Sequence, residues 1–419
     1  MINLSINLAL YLGLFIYNFK SKASGKNYAM LIIAVFVISA FCSLFYYDTE
    51  LYKSLTESKG RSISFGALIY LFIGFCILIR PLQVYPKIET IEVTRFGNKD
   101  LVFMAFVFLG VVSIIPFYEN LKQALLMSGQ NMADVYFDRQ GGTADLRSHL
   151  SSIGRICNGI VSWFQFVLPI APFYLIQQRK RWYWVLLATL GAVNPVLQGI
   201  IFGGRGALFQ TFCVFTFNYI LFKDSFTPKI RKGITVAGSV LLGLFVAVLV
   251  IMTLARAGGD DDSALSGVYR YLGEGFVNFA EAGWYIKNHT DGYSIFNGTG
   301  YTFLKDVSPY FEARDFSALE RITHVRMYVY YTVMGDAFID FNVLGGLIFL
   351  TIVAFLFWKS TRKYFNRFSS LILLNLYAKI GFNGIYCWAY MYYLDFILFT
   401  FLIVFLIRCF EMNQSRCRQ

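Results

Sequence analysis

Apolar stretches separated by short polar breaks run along most of the chain, near residues 2–18, 28–47, 63–80, 101–118, 156–177, 182–201, 207–222, 233–254, 341–358, 369–389 and 392–408. A helix needs about 20 mostly apolar residues to cross the hydrocarbon layer, where no water can satisfy backbone N–H and C=O groups. The pattern therefore predicts an all-α polytopic membrane protein with about eleven transmembrane helices, a single integral membrane domain over residues 1–419. Two polar segments are far longer than a helix connection needs, residues 119–155 and 255–340. Both are expected to be structured, the second with many aromatics: Tyr269, Tyr271, Phe276, Phe279, Trp284, Tyr285, Tyr310 and Phe311. No internal repeat is visible.

Charge adds orientation to this pattern. Basic clusters fall at every second break: Lys20/Lys22/Lys26, Arg80/Lys87/Arg95/Lys99, Arg179/Lys180/Arg181, Lys223/Lys229/Arg231/Lys232, Lys359/Arg362/Lys363/Arg367 and Arg408/Arg416/Arg418. Short basic loops stay on the cytoplasmic side, so the N-terminus and both long segments are expected outside and the C-terminus inside. The first apolar stretch has its lysines after it, the reverse of a signal peptide, and is expected to remain as a span.

Composition agrees. Of 419 residues, 57% are hydrophobic and 15% charged, against about 25% charged in soluble domains. The net charge of +12 is accounted for by the cytoplasmic clusters, so no nucleic acid partner is expected, and membrane lipids are. The seven cysteines show neither metal spacing nor a disulfide framework.

Candidate chemistry lies on the outer side. Gly203-Gly204-Arg205-Gly206 occupies the expected outer turn before the 207–222 span. The glycines allow a tight turn there, and an arginine beside a helix N-terminus suits an anionic oxygen such as a phosphate. The other reading of this turn is an arginine reaching lipid headgroups. Further arginines share that side: Arg139, Arg147, Arg256, Arg270, Arg314, Arg321 and Arg326. Arg270 stands among aromatics in Val268-Tyr269-Arg270-Tyr271-Leu272-Gly273-Glu274, a setting fit for sugar faces beside a charge. Of the three histidines, His149, His289 and His324, His324 lies between Arg321 and Arg326 and ranks first as a proton acceptor. Glu274, Glu281 and Asp336 are the alternatives. Asp260-Asp261-Asp262 reads as a solvated acidic run, and no metal is assigned. Lys379 and Asp395, inside expected spans, suggest a structural ion pair through water or a role toward an extended lipid-linked substrate.

The chain resembles the bacterial oligosaccharide repeat-unit polymerases, the Wzy-type O-antigen and capsule polymerases. Gly203-Gly204-Arg205-Gly206-Ala207-Leu208 is similar to that family's Gly-x-Arg-Gly/Thr-x-Leu turn. Asp340-Phe341-Asn342-Val343-Leu344-Gly345 is similar to its Asp-Phe-Gly-x-x-Gly entry into a late span, with Asn342 where a glycine is usual. The resemblance implies a GT-C-like ligase/polymerase architecture in the bacterial inner membrane, with a periplasmic N-terminus and a cytoplasmic C-terminus. It implies block transfer of undecaprenyl-pyrophosphate-linked oligosaccharide at the periplasmic face, without nucleotide sugar or cofactor, beside a flippase and a chain-length regulator. The site residues it implies are His324, Glu274 or Asp336 as base, and Arg205, Arg256, Arg270, Arg321, Arg326, Gly204 and Gly206 around pyrophosphate and glycan. An O-antigen ligase, whose loop histidine His324 would match, and a polysaccharide flippase or exporter are the competing expectations.

Overall fold

The computed structural model describes residues 1–49, 52–53, 62–88, 95–96, 99–127, 148–201, 205–256, 261–296, 320–321, 323–326, 329–388 and 393–416. The described residues are helical apart from connecting turns and one two-residue antiparallel pairing, β1 (Arg95–Phe96) with β2 (Lys99–Asp100). The helices are α1 (Ile2–Lys20), α2 (Lys26–Tyr47), α3 (Phe65–Gln83), α4 (Leu101–Met127), α5 (Ser152–Trp163), α6 (Ala171–Gln177), α7 (Trp182–Ile201), α8 (Arg205–Phe222), α9 (Pro228–Arg256), α10 (Asp261–Glu281), α11 (Tyr293–Phe296), α12 (Thr332–Arg362), α13 (Phe368–Asn383) and α14 (Tyr393–Arg416).

Six of these helices are long and apolar enough to cross a bilayer: α1, α2, α3, α4, α7 and α12. Ser152–Trp163 and Leu168–Gln177, bent by 77°, make a seventh if they count as one broken span. These are the helices of a polytopic membrane protein. Four of the eleven expected spans coincide with α8, α9, α13 and α14, which fall outside that set, and α13 with 16 residues is short for a crossing. Large apolar side chains on α1, α4 and α12, such as Ile16, Phe108 and Phe355, face outward. In water such a surface would be a liability; against lipid it is the expected one.

The chain forms two compact units. The first comprises residues Met1–Lys87, Leu265–Lys363 and Ile380–Leu398. Its centre is aromatic: Phe36 and Phe75 have ring centroids 4.1 Å apart, and Tyr11 lies 5.3 Å from Phe75 and 5.4 Å from Phe276. Small residues let α3 and α12 approach closely, since a Cβ on Gly74 would meet Met334 at 2.8 Å and one on Gly346 would meet the Tyr70 hydroxyl.

The helix α12 is broken at Asn342, whose φ of 63° and ψ of −171° are not helical. Residues 332–340 ahead of the break are buried, whereas Val343, Leu344, Ile348 and Ile352 after it are exposed. The Asn342 Oδ1 accepts from the Leu344 and Gly345 amides at 3.0 and 3.1 Å and so caps the second half. This region of φ and ψ is nearly restricted to glycine, so Asn342 is strained here. The expected span at 341–358 is the second half alone.

The second unit comprises residues Ile88–Ala264, Tyr364–Lys379 and Phe399–Gln419. Here α4 and α7 meet through small residues: a Cβ on Gly110 would lie 2.6 Å from Leu187 Cγ, and one on Gly191 2.6 Å from Ser113 Oγ. Amides join the helices in a buried chain. Asn120 Nδ2 donates to Asn194 Oδ1 at 2.8 Å, Asn194 Nδ2 to Asn158 Oδ1 at 3.0 Å, and Gln198 Nε2 to Asn158 Oδ1 at 2.6 Å. His149 Nε2 closes the chain on Asn120 Oδ1 at 2.8 Å. At the break between α5 and α6, Asn375 Nδ2 donates to the Phe166 carbonyl at 2.6 Å, and Lys379 Nζ donates to Gln165 Oε1 at 3.2 Å over the Phe166 ring. The lysine expected to be costly inside a span is thus engaged at a helix break, where freed backbone groups need partners.

Candidate functional site

The first unit gathers carboxylates, arginines and tyrosines around α10, which begins at Asp261 and ends at Glu281. Val268, Leu272, Phe276 and Phe279 share one stripe of α10 by their spacing, and the last two are fully buried. Residues 255–340 were expected outside the spans, folded against helix ends. The helix sinks further than that. The Ser39 hydroxyl, more than two turns inside α2 from its end at Tyr47, donates to the Leu272 carbonyl at 2.5 Å, and the Phe276 ring reaches mid-helix Tyr11 and Phe36.

Glycines on both sides of Glu274 make this depth possible. A Cβ on Gly273 would lie 2.4 Å from the Ser43 amide nitrogen, and one on Gly275 2.5 Å from the Ile385 carbonyl oxygen. Backbone stands on both sides, so neither contact could relax cheaply. Glu274 itself is buried, and its Oε2 accepts from Arg270 Nε at 3.1 Å, one helical turn earlier. At the end of α10, Glu281 accepts from the Tyr52 hydroxyl at 2.7 Å. Arg270, Glu274, Glu281 and Arg326 all lie within electrostatic range of the Tyr46 hydroxyl. The Tyr386 ring packs at a tilt against Tyr271 and Tyr330, with centroid separations of 5.0 and 5.1 Å, and Asn278 Nδ2 donates to the Tyr330 carbonyl at 3.2 Å.

The expected site residues fare differently. Glu274, Arg270 and Arg326 come together. Asp336 Oδ2 accepts the Trp388 amide at 2.6 Å, and Asp340 accepts the Thr290 hydroxyl at 2.5 Å and the Ile295 amide at 2.9 Å. These bonds anchor the chain around α11 and after α13 to the buried half of α12, a structural use for both carboxylates. His324 and Arg321 are exposed, and the His324 amide donates to the Glu320 carbonyl at 2.8 Å in a left-handed backbone with φ of 59°. Arg205, Gly206 and Arg256 belong to the second unit, at the start of α8 and the end of α9. Gly203, Gly204, Arg139, Arg147 and Arg314 lie outside the described residues. His289 Nδ1 lies 3.0 Å from the Phe338 carbonyl. Among the described residues no group of three or more His, Cys, Asp or Glu could hold a metal ion.

Tyr52 was not among the expected residues, and nothing in the local sequence around it points to Glu281, 229 residues away. The glycines flanking Glu274 were visible as a Gly-Glu-Gly triplet, but their meaning depends on which backbones stand against them.

No protein-family model matches the chain, and no curated protein and no solved structure is similar to it. The fold and the site define a polytopic helical membrane protein with a carboxylate, arginine and tyrosine cluster along α10 and at the end of α2.

Proposed function

We propose that this chain is a glycosyltransferase that polymerises undecaprenyl-pyrophosphate-linked oligosaccharide repeat units at the periplasmic face of a bacterial inner membrane. The observation that supports the reading is the cluster on α10. Arg270 and Arg326 stand near Glu274 and Glu281, within electrostatic range of the Tyr46 hydroxyl in the last turn of α2. Glu274 and Glu281 are buried beside these arginines, and buried carboxylates with specific charge partners concentrate at functional sites.

In this reading an acceptor hydroxyl attacks the anomeric carbon of the donor glycan. The carbon–oxygen bond to pyrophosphate breaks with its electron pair leaving on oxygen, where guanidinium groups offset the developing charge. A nearby carboxylate accepts the hydroxyl proton. The tyrosines supply flat faces for sugar rings. One sequence-based assignment in the same unit extends beyond this cluster: His324 as an alternative base.

Deletion of the gene followed by gel analysis of surface glycan tests the reading. A polymerase loss leaves a single repeat unit on the normal acceptor. Loss of all surface glycan would instead favour a ligase or an exporter, and an unchanged ladder would remove the chain from glycan assembly altogether.

A further inference from the structure

We propose that Tyr52 and Glu281 form the proton-accepting dyad of this site, Glu281 taking the acceptor's proton and Tyr52 positioning it; the inference rests on the glycosyl-transfer reading above. Glu281 is buried at the C-terminal end of α10, where the negative end of the helix dipole disfavours a carboxylate. A basic residue is the usual occupant of a helix's last turn. An acid there, held by a phenol 2.7 Å from Oε2, is locally unfavourable, and such conflicts concentrate at functional positions.

Tyr52 is itself well fixed. The Thr49 hydroxyl donates to the Tyr46 carbonyl at 2.7 Å and accepts the Tyr52 amide at 3.2 Å, a turn that brings the chain back just past the end of α2. The Tyr52 ring then packs against Tyr47 at 4.9 Å and Tyr46 at 5.5 Å. On the other side, the Ala280 carbonyl accepts the Ser64 amide at 3.0 Å, which ties the end of α10 to the start of α3. In the transfer, the acceptor oxygen bonds to the anomeric carbon, the bond to pyrophosphate breaks, and the hydroxyl proton passes to Glu281 while the phenol stays hydrogen-bonded to Oε2. The proton leaves to solvent after product departure.

The test is elongation of purified lipid-linked repeat units by the full-length protein in proteoliposomes across a range of pH, with thermal unfolding as the control for folding. Glu281→Gln should slow turnover by about 10²–10⁴-fold with KM little changed. Tyr52→Phe keeps the ring and removes one hydrogen bond to the charged carboxylate. It should move the acid limb of the pH–rate profile upward by about one unit. If Tyr52→Phe does not fold, Glu281→Asp asks the same question, because withdrawing the carboxylate from the phenol must move the same limb the same way. A wild-type protein that elongates while Glu281→Gln stays within a few fold of it, or while the acid limb does not move, overturns the dyad alone. A folded wild-type protein that does not elongate overturns the glycosyl-transfer reading and the dyad with it.

Discussion

Single residues here act mainly through geometry that other elements impose. Arg270 bonds Glu274 through Nε, and in the proposed reaction its planar fork also faces a phosphate. A lysine, a point charge on a flexible stem, cannot do both. Arg270→Lys should therefore lower elongation by on the order of tenfold, equivalent to about 1.4 kcal/mol and in the range of one charge-assisted hydrogen bond, at equal membrane levels. A wild-type glycan ladder from this variant would reduce Arg270 to a surface role. Asn342 makes a separate test of backbone strain. Replacing it by glycine removes a cap worth a few tenths of a kcal/mol relative to glycine and relieves about 1–3 kcal/mol of strain. Asn342→Gly should thus match or exceed the wild-type melting temperature in detergent, whereas Asn342→Val should fall well below it. The reverse order would mean that the break in α12 does not depend on this position.

At the scale of elements, helices meet through small residues and buried amides, as expected where lipid offers no hydrophobic drive between them. Asn194→Leu would remove the acceptor of Asn120 Nδ2 in the second unit, while Asn158 Oδ1 keeps its bond from Gln198 Nε2. Each unsatisfied buried group costs about 1–3 kcal/mol, so a clear loss of thermal stability is expected. His149 makes the end of this network sensitive to pH. Burial lowers its pKa from the ordinary 6.5, opposed by the Glu119 carboxylate. The folded chain therefore binds this proton less readily than the unfolded chain does. The stability that His149 contributes is complete above pH 6.5 and declines as the pH falls below it. Unfolding measured between pH 8 and 5 should show a decline that is shallower in His149→Asn. In α10, Gly273→Val should disrupt the seat against α2 that holds Glu274, with loss of both folding yield and elongation.

For the whole molecule, the alternating basic clusters predict that a periplasm-dependent reporter fused after Ser266 and a cytoplasm-dependent one fused after Arg362 are both active. A cytoplasmic result after Ser266 would put the α10 cluster on the wrong side of the membrane for the proposed reaction. Much of the architecture was legible in the sequence, because bilayer insertion depends on summed local hydropathy and on nearby charge. The all-helical character and the candidate crossings α1, α2, α3, α4 and α7 follow from runs that any window along the chain reveals. The arginine and glutamate of α10 were also visible, four residues apart in one aromatic stretch. Other features were not. Whether α10 lies outside the helix layer or sinks into it depends on Gly273 and Gly275 meeting the backbones at Ser43 and Ile385. The role of Asp336 depends on the Trp388 amide, and that of Glu281 on a tyrosine 229 residues away. By itself the sequence determined which segments are apolar enough for lipid, since that is an additive property of neighbouring residues. The tertiary structure alone decided which polar groups share a site and which carboxylates are spent on anchoring, since those follow from close contacts between segments distant in the chain.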